Sequence, residues 1–145
     1  MKLQLPYAPV PENAKLLAQV CVEAAKDVSG LDLDFRPESL ALVEEQIERF
    51  RADKVPLRRI ASTLFCFGCY LGEVIIQTFG GRWVEVEKSP MKGLASWPLV
   101  TVLDNGSCWN PIGRVFKRFE EGPGEAIPHF FSVVKSGARP KRGSP

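Results

Sequence analysis

The stretch CFGCYLGEVIIQTFGGRW, residues 66–83, decides the fold of this chain. A helix formed from it is apolar on nearly every side, so other elements must cover most of its surface. Pro56 disfavours helix in the residue before it, and Gly80-Gly81 provides a helix end, because glycine adopts left-handed conformations without steric cost. The sequence therefore predicts a central helix from about residue 57 to residue 79.

Two further helices are predicted before the central one. Apolar residues recur at helical spacing over residues 11–28 and again over 37–50. In the second of these helices the apolar stripe faces the core, which places Glu44 and Glu48 on the predicted outer surface. The N-terminal half of the chain is therefore expected to be helical.

The pattern changes beyond the central helix. RWVEVE (82–87) alternates and LVTVLD (99–104) is rich in β-branched residues, so both are predicted strands. Asn105-Gly106 is a tight-turn pair, which predicts a hairpin into a third short strand near residues 107–109. Together these segments form a small antiparallel meander.

Two helices are predicted at the C-terminal end. Asn110-Pro111 combines a capping residue with a proline and predicts the start of a fourth helix, and a fifth is expected over about 125–134. The fold class is therefore α+β, with three N-terminal helices, an antiparallel meander of about three strands, and two C-terminal helices.

The composition indicates one globular domain with a basic end. The chain has 145 residues, enough to bury a core, and its formal net charge of +2 is too small to indicate a nucleic-acid or membrane partner by itself. The C-terminal segment KSGARPKRGSP carries basic residues and no acid. We expect a single domain over residues 1–135 and a disordered basic tail over 136–145, because Gly, Pro and Ser bury little apolar surface.

The sequence indicates a cytoplasmic protein. The N-terminal MKLQLPYAPVPEN lacks the apolar core and the cleavage site of a secretory signal. The longest fully apolar run, residues 64–72, is about half of a membrane span. Four cysteines without an export signal are typical of reduced thiols in a cytosol. Membrane insertion is not expected.

The C-x-x-C pair, Cys66 and Cys69, raises the question of a redox or metal site. A redox pair lies at a helix N-terminus, where the thiol pKa is lowered, but these cysteines fall in the middle of the central helix. A structural zinc site needs a second close pair, and Cys21 and Cys108 are single. We interpret the pair as small buried residues, and expect neither a metal nor a cofactor.

A narrow polar stripe follows one side of the central helix. At about 100° per residue it contains Ser62, Cys66, Cys69, Tyr70, Glu73 and Gln77. A carboxylate in an apolar helix needs a partner, because burying it unpaired is costly. Candidate partners are Arg82, Arg114, Lys117, Arg118, the Trp83 indole and the Asn110 amide.

Glu73 therefore has two interpretations. It either belongs to a structural network that fixes the central helix, or acts as a general acid or base in a pocket between helix and sheet. The catalytic interpretation has few supporting groups, because the only histidine, His129, lies in an amphipathic C-terminal helix.

Trp97 is the residue most typical of a partner interface. It lies in a loop rich in glycine and proline, so we expect it to be the most exposed tryptophan, flanked by Met91 and Lys92. Aromatic and basic residues together could also stack single-stranded nucleic acid, but they are too sparse here for nucleic acid to be the expected partner.

Three phrases, LDLDFRPESLALVEE, GCYLGEVIIQTFGGRW and NPIGRVFKRFEEG, together resemble a widespread family of small bacterial cytoplasmic domains without an assigned activity. The family motifs are G-x-Y-x-G-E-V, G-G-x-W and N-P-x-x-(K/R), and the resemblance covers most of residues 31–131. It implies that the motif positions here are Asp34, Ser39, Leu40, Gly68, Tyr70, Gly72, Glu73, Gly80, Trp83, Asn110, Pro111 and Lys117.

The leading functional hypothesis is a protein-binding module. Small domains of this kind are often immunity or accessory proteins that bind and block a toxin or enzyme encoded nearby, an inference by analogy. The alternatives are an enzyme that uses Glu73 as general acid or base, and weak nucleic-acid binding through the basic tail. A homodimer is a further alternative. The expected binding residues are Trp97, Tyr70, Glu73, Trp83, Asn110 and Lys117.

Overall fold

The computed structural model describes residues 3–138. Its helices are α1 (Ala14–Ser29), α2 (Leu40–Ala52), α3 (Leu57–Phe79), α4 (Pro111–Glu121) and α5 (Ile127–Ala138), and its strands are β1 (Gly81–Glu85), β2 (Leu99–Leu103) and β3 (Cys108–Trp109). Short 3-10 turns precede α1, α2 and α5, and another follows β1. The predicted α+β class and the order of its elements are confirmed.

The three strands form an antiparallel sheet in the order β1-β2-β3. Thr101 lies in the middle strand, opposite Trp83 on one side and Trp109 on the other, and is fully buried. The first strand is shorter than predicted because a 3-10 turn begins at Val86. The observed sheet is nevertheless the antiparallel meander that the sequence predicted from its alternating residues and from Asn105-Gly106.

Helix α3 begins and ends where the sequence predicted, and it is the centre of the core. Its glycine side is closed by α4: a Cβ atom on Gly68 would lie 2.5 Å from the Ile112 Cα atom. A Cβ atom on Gly72 would collide with the Trp83 ring. The two glycines therefore let α4 and β1 approach the α3 backbone more closely than any side chain would allow.

Gly80 ends α3 in a conformation that differs from the predicted one. Its φ is 81°, as expected for glycine, but its ψ of 132° is extended, outside the left-handed helical region. The Asp104 carboxylate occupies the place that a Cβ atom would need. The chain therefore turns directly from α3 into β1, where Gly81 pairs with Leu103.

Helix α5 continues to Ala138, beyond the predicted domain boundary at residue 135. The Asn105 side-chain amide donates a hydrogen bond to the Gly137 carbonyl at 3.2 Å, and Val134 is fully buried. These contacts extend the helix into the segment that composition assigned to a disordered tail. The remainder of the predicted tail, residues 139–145, lies outside the described residues.

Among the described helices, α3 is long and apolar enough to cross a membrane by length and composition. Its mean hydropathy is 1.5, and 78% of that stretch is buried inside the fold. Other elements of the fold therefore cover most of the surface of α3, as the sequence predicted for a central helix.

Candidate functional site

The predicted polar stripe of α3 is a set of separate anchors rather than one site. The Ser62 hydroxyl accepts a hydrogen bond from the backbone N–H of Gln4 at 3.0 Å, which holds the N-terminal segment against α3. The buried Tyr70 hydroxyl accepts from the Phe35 amide at 2.8 Å and lies 2.6 Å from the Ser39 hydroxyl. Burial raises the pKa of Tyr70, although its hydrogen bonds with Ser39 and Phe35 lower it. The stripe therefore joins α3 to the segments that cross it.

Glu73, the candidate catalytic acid, is only 6% exposed. The Trp83 indole N–H donates a hydrogen bond to its carboxylate at 2.8 Å, so one of the candidate partners is the observed one. No described cation forms an ion pair with it. Glu73 lines neither of the two concave surfaces described below. Its geometry is that of a group that fastens β1 to α3.

Arg118 forms the ionic centre of the fold, which the sequence analysis missed. It is 1% exposed, and its guanidinium donates to Glu44 at 2.6 Å and to Glu48 at 2.7 Å. Burial disfavours the charged guanidinium, but the hydrogen bonds and charges of the two carboxylates outweigh it, so the pKa of Arg118 is raised. The prediction that both glutamates face outward is wrong for Glu44, whose side chain is only 20% exposed, whereas Glu48 reaches Arg118 and stays 39% exposed.

Glu44 also joins a third helix to this centre. Its second carboxylate oxygen accepts a hydrogen bond from the Ile127 amide at 2.9 Å, at the start of α5. An acid at a helix N-terminus satisfies an otherwise unpaired N–H group. One sequence signal could have located this centre: Arg118 follows Val115 by three residues and Pro111 by seven, at the edge of the apolar face of α4.

A wide cleft of about 820 Å³ lies between α4, α5 and the loop that precedes β2. We call it the aromatic cleft, because its apolar wall consists of Trp97, Trp109, Phe116, Phe130, Leu94 and Val133. Leu94 is 81% exposed and Val133 is 43% exposed. Its polar lining includes Asn110, Arg114, Lys117, Glu120, Glu125 and His129.

The predicted binding residues divide between this cleft and the core. Trp97, Asn110 and Lys117 line the aromatic cleft, whereas Tyr70, Glu73 and Trp83 belong to the anchors of α3. The expectation that Trp97 is exposed is not met. All three tryptophans are half-buried, and the Trp97 ring stacks on Phe116 with 4.1 Å between ring centres.

Two polar groups of the cleft are already engaged within the fold. The Asn110 side chain accepts a hydrogen bond from the Gly113 amide at 3.0 Å, which confirms the predicted cap of α4. Arg114 pairs with Glu125 and lies over the Phe130 ring, 4.9 Å from its centre. Burial lowers the pKa of the Arg114 guanidinium. Counted along the chain, the basic position of the N-P-x-x-(K/R) motif falls on Arg114 rather than on Lys117.

The cysteines of the C-x-x-C pair are buried thiols. Burial raises the pKa of Cys66 to about 11 and also raises the pKa values of Cys69 and Cys21. A thiol with a raised pKa stays protonated at neutral pH, the opposite of a reactive thiolate. Within residues 3–138, no group of three His, Cys, Asp or Glu side chains is placed to hold a metal ion.

The aromatic cleft is therefore a concave surface that combines exposed apolar side chains with polar side chains outside any ion pair. Lys117 and His129 are exposed in it, and neither forms an ion pair with a described residue. The resemblance to a bacterial family stays a prediction. Comparison with known proteins finds no matching family model, no significantly similar curated protein and no significantly similar solved structure.

Proposed function

We propose that this chain is a protein-binding module that holds a segment of a partner protein in the aromatic cleft. The observation that carries the proposal is the exposure of Leu94 and Val133, 81% and 43%, beside a concave wall of aromatic rings. Large apolar side chains exposed around a cleft are typical of protein interfaces, because their burial provides most of the binding free energy.

The charges of the cleft support a partner segment that carries acidic residues. Lys117 and His129 are exposed in the lining, and Lys92 is exposed in the adjoining loop. The lining acid Glu125 is already paired with Arg114, which leaves Glu120 as the exposed acid. An apolar anchor flanked by carboxylates would therefore match both the rings and the free lysines, Lys92 and Lys117.

The finer proposal is a bacterial cytoplasmic immunity or accessory protein that blocks a toxin or enzyme encoded nearby. It is supported by the size of the domain, the family resemblance and the cleft. The test is to mix the purified chain with the product of the neighbouring gene at micromolar concentration and to measure binding by calorimetry. Absence of a complex there contradicts the finer proposal.

Variants separate the cleft from other surfaces. Leu94→Ser and Val133→Ser together are expected to weaken partner binding by about a hundredfold, the effect of removing two interface anchors. Tyr7→Ser is the matched control, because Tyr7 is a large apolar side chain that is 42% exposed and does not line the cleft. Equal weakening by the control would show that the cleft is not the binding surface.

The enzyme hypothesis has less support, because Glu73 is buried against Trp83 and lines neither concave surface. It would require Glu73→Gln to abolish an activity while leaving the melting temperature nearly unchanged. Nucleic-acid binding through the basic tail is tested by removing residues 139–145, which leaves α5 intact.

A further inference from the structure

Helix α1 exposes an apolar stripe on its outer side. Leu16, Val20, Ala24 and Val28 follow one another at intervals of four residues, which places them along one side of the helix. Leu16 is 46% exposed and Val28 is 85% exposed. We call these four residues the α1 stripe. Residues on the solvent side of a surface helix are normally polar, so the stripe is unusual for a free surface.

A groove of about 300 Å³ runs beside the α1 stripe, between α1, α2 and the first turns of α3. Val20, Ala24 and Val28 form one of its walls, and Leu5, Phe50 and Phe67 are among the apolar residues opposite. The groove and the aromatic cleft lie on opposite sides of α3, since Ser62 and Cys66 line the groove whereas Gly68 packs on α4. This face is therefore independent of the proposed function.

Opposite charges flank the two parts of this face. Glu23 and Asp27 are exposed on α1, three residues after Val20 and Ala24. Arg49 and Arg59 are exposed on the other rim; Arg49 follows the lining residue Gln46 by three positions, and Arg59 precedes Ser62 by three. None of these four side chains forms an ion pair with a described residue.

We propose that a second copy of this chain covers this face in a two-fold symmetric dimer. The α1 stripe of each copy packs into the groove of the other, and Glu23 and Asp27 of each copy face Arg49 and Arg59 of its partner. A two-fold interface uses the same patch on both subunits, so the patch must be complementary to itself. This face meets that condition because it contains both the exposed α1 stripe and the apolar groove beside it. It also carries both acids and arginines that are outside any described ion pair.

The dimer is tested by measuring the molar mass of the full chain in solution by sedimentation or light scattering. The expected mass at micromolar concentration is twice the 16.1 kDa of one chain. Val28→Asp is expected to give a monomer, because it places a charge in the apolar contact. Leu94→Asp is the control: it changes an equally exposed leucine in the aromatic cleft and should leave the dimer intact.

Charge reversal tests the pairing itself. The variants Arg49→Glu/Arg59→Glu and Glu23→Arg/Asp27→Arg should each weaken the dimer by about tenfold or more, since like charges then face each other. An equimolar mixture of the two should restore it, because every contact in the mixed dimer joins opposite charges. Circular dichroism checks that each variant is folded. A monomeric wild type, a dimeric Val28→Asp variant or a mixture that does not re-associate would each overturn the proposal.

Discussion

Glu73 and Arg118, the two charged side chains buried among the described residues, are held in opposite ways. Glu73 lies on an apolar helix and has one neutral hydrogen-bond donor, the Trp83 indole. Arg118 lies on an amphipathic helix and has two carboxylate partners, Glu44 and Glu48. The comparison shows that a charged residue within an apolar stretch is easy to notice in the sequence, yet it can need only one nearby hydrogen-bond donor. The charged residue that joins several helices has the sequence pattern of an ordinary surface residue.

The difference has a physical cause. A carboxylate beside one fixed N–H group fastens only the strand that carries that group. A guanidinium presents several donors in a planar fork and can bind two carboxylates at once, which suits it to join separate elements. We therefore expect the Arg118 centre to contribute more to the free energy of unfolding than the Glu73 contact.

The largest effect is expected from Arg118→Met. The variant leaves Glu44 without a cation and Glu48 with only the exposed Arg51, and removing one partner of a buried pair costs about 3 kcal/mol of unfolding free energy. Urea denaturation measures the loss. Lys117→Met, an exposed neighbour on the same helix, is the control and should change stability by less than about 0.5 kcal/mol. A loss of stability no larger than that of the control would show that Arg118 does not stabilise the contact between these helices.

Trp83→Phe is expected to cost about 2 kcal/mol, because it removes the donor to a buried carboxylate and shortens the ring that packs on Gly72. Glu73→Gln keeps an acceptor for the indole and should cost less than about 1 kcal/mol. A double-mutant cycle of Trp83→Phe with Glu73→Leu, which removes the acceptor altogether, isolates the contact itself. Strictly additive effects would show that the Glu73–Trp83 hydrogen bond contributes nothing.

The two carboxylates of the Arg118 centre should differ from each other. Glu44→Ala removes both the ion pair with Arg118 and the acceptor for the Ile127 amide, whereas Glu48→Ala removes the ion pair with Arg118 and a weak exposed pair with Arg51. Because a helix cap is worth about 1 kcal/mol, Glu44→Ala should be the more destabilising by about that amount. Hydrogen exchange at the Ile127 amide should accelerate in the first variant only, and equal exchange in both would contradict the capping role.

The smallest effect concerns Cys66, a titratable group that is buried without a charged partner. Burial raises its pKa from 9.0 to about 11, so the folded state favours the neutral thiol. The stability gained from keeping this thiol neutral is fully present below pH 9 and is lost as the pH rises toward 11. At pH 9.5 the loss should lower the free energy of unfolding by less than about 1 kcal/mol. Cys66→Ala should make that part of the pH profile less steep without flattening it, because burial also raises the pKa values of Cys21 and Cys69. An unchanged profile would show that Cys66 contributes nothing to it.

Much of the fold followed from local patterns. Proline, glycine and alternating apolar residues act through the backbone within a few residues, which is why the bounds of α3, the meander and the Asn110 cap were predictable. The glycine side of α3 was also predictable, because a helix with Gly68 and Gly72 four residues apart has one smooth side.

The candidate site was predictable only in part. Trp97, Asn110 and Lys117 were selected by residue type and do line the aromatic cleft. The burial of Trp97 was missed because it depends on Phe116, a residue of α4 that no local pattern pairs with the loop. The exposure of the α1 stripe was also missed. Apolar residues at helical spacing are normally buried, and only the packed fold shows that no described residue covers Val28.

The sequence by itself determined the α+β order, the central helix and the polar groups that this helix carries. The tertiary structure decided which of those groups meet: Glu73 with the Trp83 indole, and Arg118 with carboxylates seventy or more positions earlier in the chain. The physical reason is that secondary structure depends on torsions and side chains a few residues apart. An ion pair or a cleft depends on the close approach of whole elements, and at Gly68 that approach requires the absence of a side chain.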